Sequence, residues 1–284
     1  MLGFVAFIIV LGIAFNLAIG YGPVGMVLAV LVAGGMAFGS YWKSDSIALA
    51  VSRAHPADPV VYARLHNLIE GLCIASGTPP PRLYIVDDPA PNAFATGRNP
   101  RHAAIAVTTG LLEKMNRVEL EAVLAHELSH IRNYDILVST LAVTMVGSAA
   151  LLSDLGIRFL WFGGGRRSGG GGGGNPFVGV AALVLIVLAP IIARLLQLAI
   201  SRRRESLADM SAIEITRYPP GLISALEKLR DDGTVVRSGS RATAHLWIEE
   251  PVPEREDTKS ASRWTKLFNT HPPIEERIAA LREL

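Results

Sequence analysis

The first 42 residues of the chain contain no Asp, Glu, Lys or Arg. A charge-free run of this length is enough for two helices of about 20 residues each, the length that crosses the hydrocarbon core of a bilayer. Gly20–Pro23 divides the run, because glycine and proline favour a turn over a continuous helix. Residues 1–42 therefore predict a transmembrane hairpin. A cleavable signal peptide is the alternative, but it needs a basic start, and the first basic residue is Lys43.

Two later segments, Ile136–Ser153 and Ser168–Ala193, also lack charged residues, and the second becomes apolar from Phe177. They predict a second transmembrane pair within residues 136–200, with long buried helices of a soluble core as the alternative. Between them, residues 163–174 contain only Gly, Arg and Ser, which predicts a flexible linker.

Basic residues beside the predicted spans indicate the orientation, because cytoplasmic loops are rich in Lys and Arg. Lys43 and Arg53 follow the first hairpin, and Arg202–Arg204 follow the last span. The two polar parts, 43–135 and 201–284, are therefore predicted to lie on the cytoplasmic side of a multi-pass protein of the cell membrane. Three arginines would then lie in the opposite loop, which weakens this orientation without reversing it: Arg158, Arg166 and Arg167.

The polar parts predict a small α+β unit that the second membrane pair splits in sequence. Strands are predicted where runs rich in Val and Ile are bounded by Asp, Pro and Gly. They are Arg82–Val86, the edge-like Asn92–Thr96, and His102–Thr108. Helices are predicted at Val61–Leu72, near Gly221–Arg230 and after Pro273.

Charge and cysteine content exclude several classes of function. The 27 Lys and Arg residues nearly balance 25 Asp and Glu residues, so no basic field indicates a nucleic-acid partner. The single cysteine, Cys73, excludes an internal disulfide framework and any multi-cysteine metal site. Chemistry in this chain must therefore use other side chains.

Residues Val118–Arg132 read VELEAVLAHELSHIR, with apolar residues at helical spacing. His126 and His130 are four residues apart, so both imidazoles leave one face of the helix and can bind one cation. Glu127 lies about 100° around the helix, close enough to act on a ligand of that cation. This His-Glu-x-x-His pattern is typical of zinc peptidases, and two core histidines beside a solvated Glu are the alternative.

A catalytic zinc site needs three protein ligands and one open position, so a third ligand is expected further along the chain. Glu205 in the segment SRRRESLAD is the best candidate, and Asp209 lies one helical turn later. Asp209 is placed to accept a hydrogen bond from a ligating imidazole and so to fix its orientation. The alternative is that Glu205 pairs with Arg202 or Arg204 on an exposed helix face.

With these motifs established, the chain resembles the HtpX family of membrane-embedded zinc metallopeptidases, relatives of the Ste24 CAAX-processing proteases. The resemblance extends beyond the zinc motif and covers nearly the whole chain except the glycine linker and about residues 232–262. It rests on five segments in order: NAFATG (92–97), VTTGLL (107–112), AHELSHIRN (125–133), SRRRESLAD (201–209) and THPPIEERIAAL (270–281).

The resemblance implies a mainly α membrane protein with a small β-sheet. It would have four transmembrane helices and a cytoplasmic, gluzincin-like α+β zinc peptidase domain that holds one Zn²⁺ per chain. It also implies His126, His130 and Glu205 as zinc ligands, Glu127 as general base and Asp209 as a partner of a ligand.

By the same resemblance, four residues would form the upper rim of the cleft and bind an extended peptide by strand addition. They are Asn92, Ala93, Phe94 and Ala95. For the Phe94 side chain, ordinary core packing is the alternative. The resemblance also places His271 near the active site, although a histidine beside two prolines could instead cap the last helix.

The function implied is a zinc-dependent endopeptidase that cleaves misfolded or unassembled membrane proteins. The expected partners are membrane-protein or unfolded polypeptide substrates and the lipid bilayer, with no nucleic acid and no predicted oligomeric state. The alternatives are a CAAX-type processing protease and a non-catalytic membrane scaffold or chaperone with a structural metal. Glu127 favours an enzyme over the scaffold, because a structural metal site needs no base.

Overall fold

In a computed structural model of the chain, the structure describes residues 45–139, 203–232, 234, 247–248 and 272–284, with isolated positions between 31 and 43. Contacts divide the chain into two units, Met1–Trp42 with Thr140–Gln197 and Lys43–Ser139 with Leu198–Leu284. The predicted first hairpin apart from those isolated positions, most of the second membrane pair, the glycine linker and His271 lie outside the described residues.

Within the part of the chain that the structure describes, no helix combines the length and the apolar character needed to cross a membrane.

The second unit contains a mixed sheet of four strands, β1 (His55–Pro56), β2 (Arg82–Val86), β3 (Ala93–Gly97) and β4 (Ala103–Thr108). Across the sheet the strands lie in the order β1-β2-β4-β3. The central pair β2 and β4 is parallel, whereas β1 and β3 pair antiparallel to their neighbours. The sequence predicted β2 correctly and placed β3 at an edge, as the sheet order confirms.

The other strand boundaries differ slightly from the sequence prediction. Strand β3 begins one residue later than expected, and β4 begins at Ala103 because the chain before it forms a 3₁₀ turn, Pro100–His102. The Asn99 side chain accepts a hydrogen bond from the His102 backbone N–H and holds that turn. Strand β1 was not predicted, since a two-residue strand carries no periodicity.

Besides the helical residues 45–51 and 135–139, the described part of the second unit contains six helices. They are α1 (Ala63–Ser76), α2 (Thr109–Lys114), α3 (Arg117–Arg132), α4 (described over 203–216), α5 (Pro219–Asp231) and α6 (Ile274–Arg282). Helix α1 runs past the predicted end at Leu72 to Ser76 and is capped by Gly77, whose φ of 66° is readily available only to glycine. Short helix α2 was not predicted and begins where the Thr108 hydroxyl caps the Leu111 N–H.

Helix α3 lies against the sheet and is buried along most of its length. Alternate residues of β4, such as Ile105 and Val107, share a core with α3. The residues between them, Ala104 and Ala106, pack on the opposite face in a smaller cluster that includes Phe94. Each large apolar side chain buried in this way stabilises the fold by about 1.5–3 kcal/mol. This packing against the sheet fixes the position of α3 and of the side chains that it carries.

The N-terminus of α3 is fixed by a buried carboxylate. Glu119 accepts hydrogen bonds from the Asn116 backbone N–H at 2.8 Å, the Ser224 hydroxyl at 2.6 Å and the Lys228 ammonium at 2.6 Å. The first completes a capping box, and the other two join α3 to α5. Burial would raise the pKa of Glu119, but these hydrogen bonds and the Lys228 charge outweigh it and lower the pKa.

We expect Glu119→Gln to destabilise the second unit by about 1–2 kcal/mol at pH 7, because the charge-assisted hydrogen bonds to α5 are lost. The effect stays this small because Lys228 is half-exposed, so that solvent screens its charge. The control Glu121→Gln lies on the same helix and should change stability little. A carboxylate with a lowered folded pKa contributes stability above its unfolded pKa and loses it as the pH falls through the folded pKa. In thermal unfolding of the full chain, the stability difference between the unmodified protein and Glu119→Gln should therefore become smaller in acid. An equal loss of stability in Glu119→Gln and Glu121→Gln would contradict the role of Glu119.

Candidate metal centre

The two motif histidines and the predicted third ligand meet at one point. His126 Nε2 and His130 Nε2, both on α3, lie 3.1 Å apart. Glu205, on α4, places Oε2 3.5 Å from His126 Nε2 and Oε1 3.5 Å from His130 Nε2. Glu205 is only 4% exposed, so the alternative of an exposed surface ion pair is wrong. These three residues form a group that could hold a metal ion.

The spacing of this group fits zinc. Tetrahedral ligands that lie 2.0–2.1 Å from Zn²⁺ are about 3.3 Å from one another, close to the separations found here. Imidazole nitrogen and carboxylate oxygen are also ligands that zinc prefers. Three protein donors leave one tetrahedral position for a water or a substrate oxygen, as a catalytic site requires.

Each of the two imidazoles has a carboxylate at the ring nitrogen that faces away from this group. His126 Nδ1 lies 2.9 Å from Asp209 Oδ1, and His130 Nδ1 lies 2.9 Å from Asp135 Oδ2. A carboxylate at this distance favours the tautomer with the proton on Nδ1, which leaves the lone pair of Nε2 directed at the metal position. Both rings are thus arranged as metal ligands rather than as ordinary core histidines.

The turn that follows α3 brings Asp135 back to His130. Tyr134 has a φ of 59°, a left-handed conformation that a bulky residue rarely adopts. Arg204 donates a hydrogen bond to Asp135 and, at 3.3 Å, to the Asn133 carbonyl oxygen. The guanidinium thus ties the end of α3 to α4.

A fully buried arginine balances the carboxylates on the other side. Arg277 of α6 donates two hydrogen bonds to Asp209, at 2.9 and 2.7 Å, and its Nη1 lies 3.8 Å from Glu205 Oε2. Burial would raise the pKa of Asp209, but the Arg277 charge and the His126 contact lower it to about 2. Burial would lower the pKa of His126, but Asp209 and Glu205 raise it to about 9. The centre therefore favours a positive charge at its core.

Glu127 lies beside this centre on α3 and is 1% exposed. The Glu127 carboxylate interacts electrostatically with the Arg277 guanidinium, so it lies near the buried charges of Arg277 and Asp209. The structure therefore brings together the five site residues predicted on α3 and α4: His126, Glu127, His130, Glu205 and Asp209.

The predicted substrate rim lies at the edge of the sheet next to α3. Asn92 precedes β3, its side chain accepts the Ala93 N–H at 3.0 Å, and its backbone N–H donates to the Thr108 hydroxyl at 2.9 Å. Phe94 is fully buried on the face opposite α3, and Ala95 shares the face of Ala93. The main chain of β3 is therefore firmly held, and the strand packs against helix α3.

Three contributors to the centre were not predicted from the sequence, namely Asp135, Arg204 and Arg277. Arg204 was considered only as a partner of Glu205, whereas it pairs with Asp135. Arg277 lies in the segment THPPIEERIAAL, but nothing in the sequence gave it a role. An acid five residues after His130 was the one local signal for Asp135.

A helix that supplies two histidines, a second helix that supplies a carboxylate, and an edge strand beside them define the class of His-Glu-x-x-His zinc peptidases.

Known proteins support this class. The sequence profile of peptidase family M48 matches residues 59–284. The Protease HtpX homolog of Dictyoglomus turgidum is 42% identical over 261 residues, covering 92% of this chain and 82% of that protein. The Protease HtpX homolog of Tropheryma whipplei (strain Twist) is 45% identical over 255 residues, covering 90% of this chain and 84% of that protein.

The crystal structure of S. mikatae Ste24p shares the fold, with a TM-score of 0.58 at 18% identity. The match covers 96% of this chain but only 62% of that chain. From the profile and the HtpX relatives, the chain belongs to peptidase family M48 and is an HtpX-like zinc metalloprotease that acts on polypeptides.

We expect Asp135→Asn to weaken zinc binding about 10- to 100-fold, because His130 loses the carboxylate that orients its ring. Competition with a chromophoric chelator measures this affinity independently of proteolysis. The control Asp58→Asn removes a charge from an exposed carboxylate that accepts hydrogen bonds from the backbone N–H groups of Val60 and Val61. Equal zinc affinity in all three proteins would show that Asp135 does not support His130.

Proposed function

We propose that this protein is an integral-membrane zinc endopeptidase that cleaves misfolded or unassembled membrane proteins. The observation that carries the proposal is the convergence of His126, His130 and Glu205 at zinc spacing beside the edge strand β3. A metal centre next to a strand edge suits cleavage of extended polypeptide, because a main chain can pair with the strand while it passes the metal.

In this proposal His126, His130 and Glu205 hold the zinc ion, and Asp209 fixes the His126 ring. Bound zinc would lower the pKa of a water molecule and polarise the scissile carbonyl. Arg277 keeps Asp209 ionised, since its two hydrogen bonds favour the charged carboxylate. The ligand set is thus held by the three helices α3, α4 and α6.

Glu127 acts as the general base. Its carboxylate takes a proton from the attacking water and later delivers it to the leaving amine. Burial beside the ligands excludes bulk water from this transfer. His271 is a further candidate for stabilising the developing oxyanion, a role that the family resemblance suggests.

Asn92, Ala93, Phe94 and Ala95 form the substrate rim. The backbone of β3 supplies the hydrogen bonds, and the Asn92 side chain braces the Ala93 N–H. Main-chain recognition favours unfolded segments over folded surfaces, which supports unassembled or misfolded proteins as substrates.

The membrane part of the proposal rests on the charge-free residues 1–42 and on the apolar segments 136–153 and 177–193. Basic residues after the spans support a catalytic unit on the cytoplasmic side.

Replacing Glu127 by Gln should abolish cleavage of an unfolded membrane-protein substrate while zinc stays bound, because the amide cannot accept the proton. The loss should exceed about 100-fold, the lower range for general-base catalysis. Proteolysis and zinc content are measured on the same detergent-purified protein. The control Glu121→Gln, on the same helix, should retain both.

Cleavage by a clean Glu127→Gln preparation at the rate of the unmodified enzyme would refute the assigned base. A marked preference for prenylated peptides over unfolded membrane proteins would instead favour the CAAX-type processing alternative.

The topology is tested by cysteine labelling. Cys73 is buried, which raises its thiol pKa to about 11, so it should react slowly with maleimides at neutral pH. In intact cells an impermeant maleimide should label Gly170→Cys in the glycine linker but not Glu276→Cys on exposed α6, which should react only after lysis. The reverse pattern would overturn the cytoplasmic assignment.

A further inference from the structure

The outer edge of β3 is paired with another part of the same chain. Trp247 forms an antiparallel bridge with Phe94, and the Ile248 backbone N–H donates a hydrogen bond of 3.0 Å to the Ala93 carbonyl oxygen. Strand β3 ends the four-stranded sheet, so its other edge pairs with β4. Trp247 and Ile248 therefore occupy the edge that the proposed function assigns to substrate.

The two side chains of this segment lie on opposite faces of the sheet. Trp247 is fully buried and packs edge-on against the Phe94 ring at a centroid distance of 4.7 Å, in the cluster that faces away from α3. Ile248 is 3% exposed and belongs to the core cluster that contains Ala93, Ala95 and the apolar residues of α3. The segment thus presents an aromatic residue to one face and an aliphatic residue to the other.

We infer that Trp247 and Ile248 form a resident, substrate-like segment that a substrate must displace from β3. This inference rests on the proposed function. It also defines a substrate class: extended segments that run antiparallel to β3, with an aliphatic residue toward the α3 face followed or preceded by a large aromatic residue toward Phe94.

The resident segment and a substrate compete for the same backbone hydrogen bonds on the outer edge of β3. The Ala93 carbonyl oxygen that Ile248 occupies is a main-chain acceptor on the outer edge, and one strand edge pairs with one partner strand at a time. A competitor in the same chain acts at an effective concentration of about 1 mM when its connection is short. Pairing of the resident segment with β3 therefore raises the apparent KM for substrate.

The Ile248→Pro variant tests the inference, because proline lacks the N–H that donates to Ala93. The control Ile248→Val keeps that N–H and an aliphatic side chain. The probe is a ten-residue quenched fluorescent peptide with an adjacent aromatic and aliphatic pair, assayed with the zinc-loaded full chain. We expect KM to fall about 3- to 10-fold in Ile248→Pro with little change in kcat, and both constants to stay unchanged in Ile248→Val.

A second measurement covers the case in which Ile248→Pro does not fold. A free peptide with the sequence of residues 243–252, TAHLWIEEPV, should inhibit the wild-type enzyme competitively. The same peptide carrying Ile248→Pro should inhibit at least several-fold less. Equal inhibition by both peptides, or none by either, overturns the inference.

The outcomes separate this inference from the proposed function. If zinc-bound wild-type enzyme cleaves no polypeptide, the proposed function fails and the inference falls with it. If the wild type cleaves the probe but folded Ile248→Pro has an unchanged or higher KM, the inference alone fails, and Trp247 and Ile248 are then part of the fixed substrate platform.

Discussion

Three lone-pair donors face one another inside this protein, and that arrangement is unfavourable without a cation between them. The two imidazole Nε2 atoms are 3.1 Å apart, and the Glu205 carboxylate lies 3.5 Å from each. Carboxylates behind both rings, on Asp209 and Asp135, favour protons on the outer nitrogens and lone pairs toward the centre. The rest of the unit holds this arrangement, since α3 is anchored against the sheet and capped by Glu119.

The charge balance of the centre joins segments that are far apart in sequence. Arg277 belongs to the last helix, yet it is fully buried against Asp209 and near Glu205. A buried charge pair adds little net stability, but loss of one partner leaves an uncompensated charge that costs about 3–5 kcal/mol. The C-terminal helix therefore cannot leave its place without disturbing the ligands, so folding of the unit and assembly of the metal centre are coupled.

Most of the features that could be predicted from the sequence depend on short-range patterns. Helical periodicity around His126 and His130 and strand composition at Arg82–Val86 both act within a few residues. The missed features are tertiary: Asp135 reaches His130 only because Tyr134 adopts a left-handed φ, and Arg277 meets Asp209 across 68 positions. Glu205 was found because the chemistry of zinc demands a third ligand, not because its own surroundings in sequence differ from those of a surface Glu.

The covered edge of β3 resolves a conflict that any strand-binding protease faces. Such an enzyme needs an accessible strand edge to receive extended polypeptide, but an exposed edge invites pairing with other chains and aggregation. An edge that pairs with its own Trp247 and Ile248 is protected at rest. Because the cover makes main-chain contacts of the kind a substrate would make, only a polypeptide that is itself extended can replace it. A folded protein, whose backbone groups are already paired, offers no such replacement, so under the proposed function the contact that protects the edge would also select for unfolded chains.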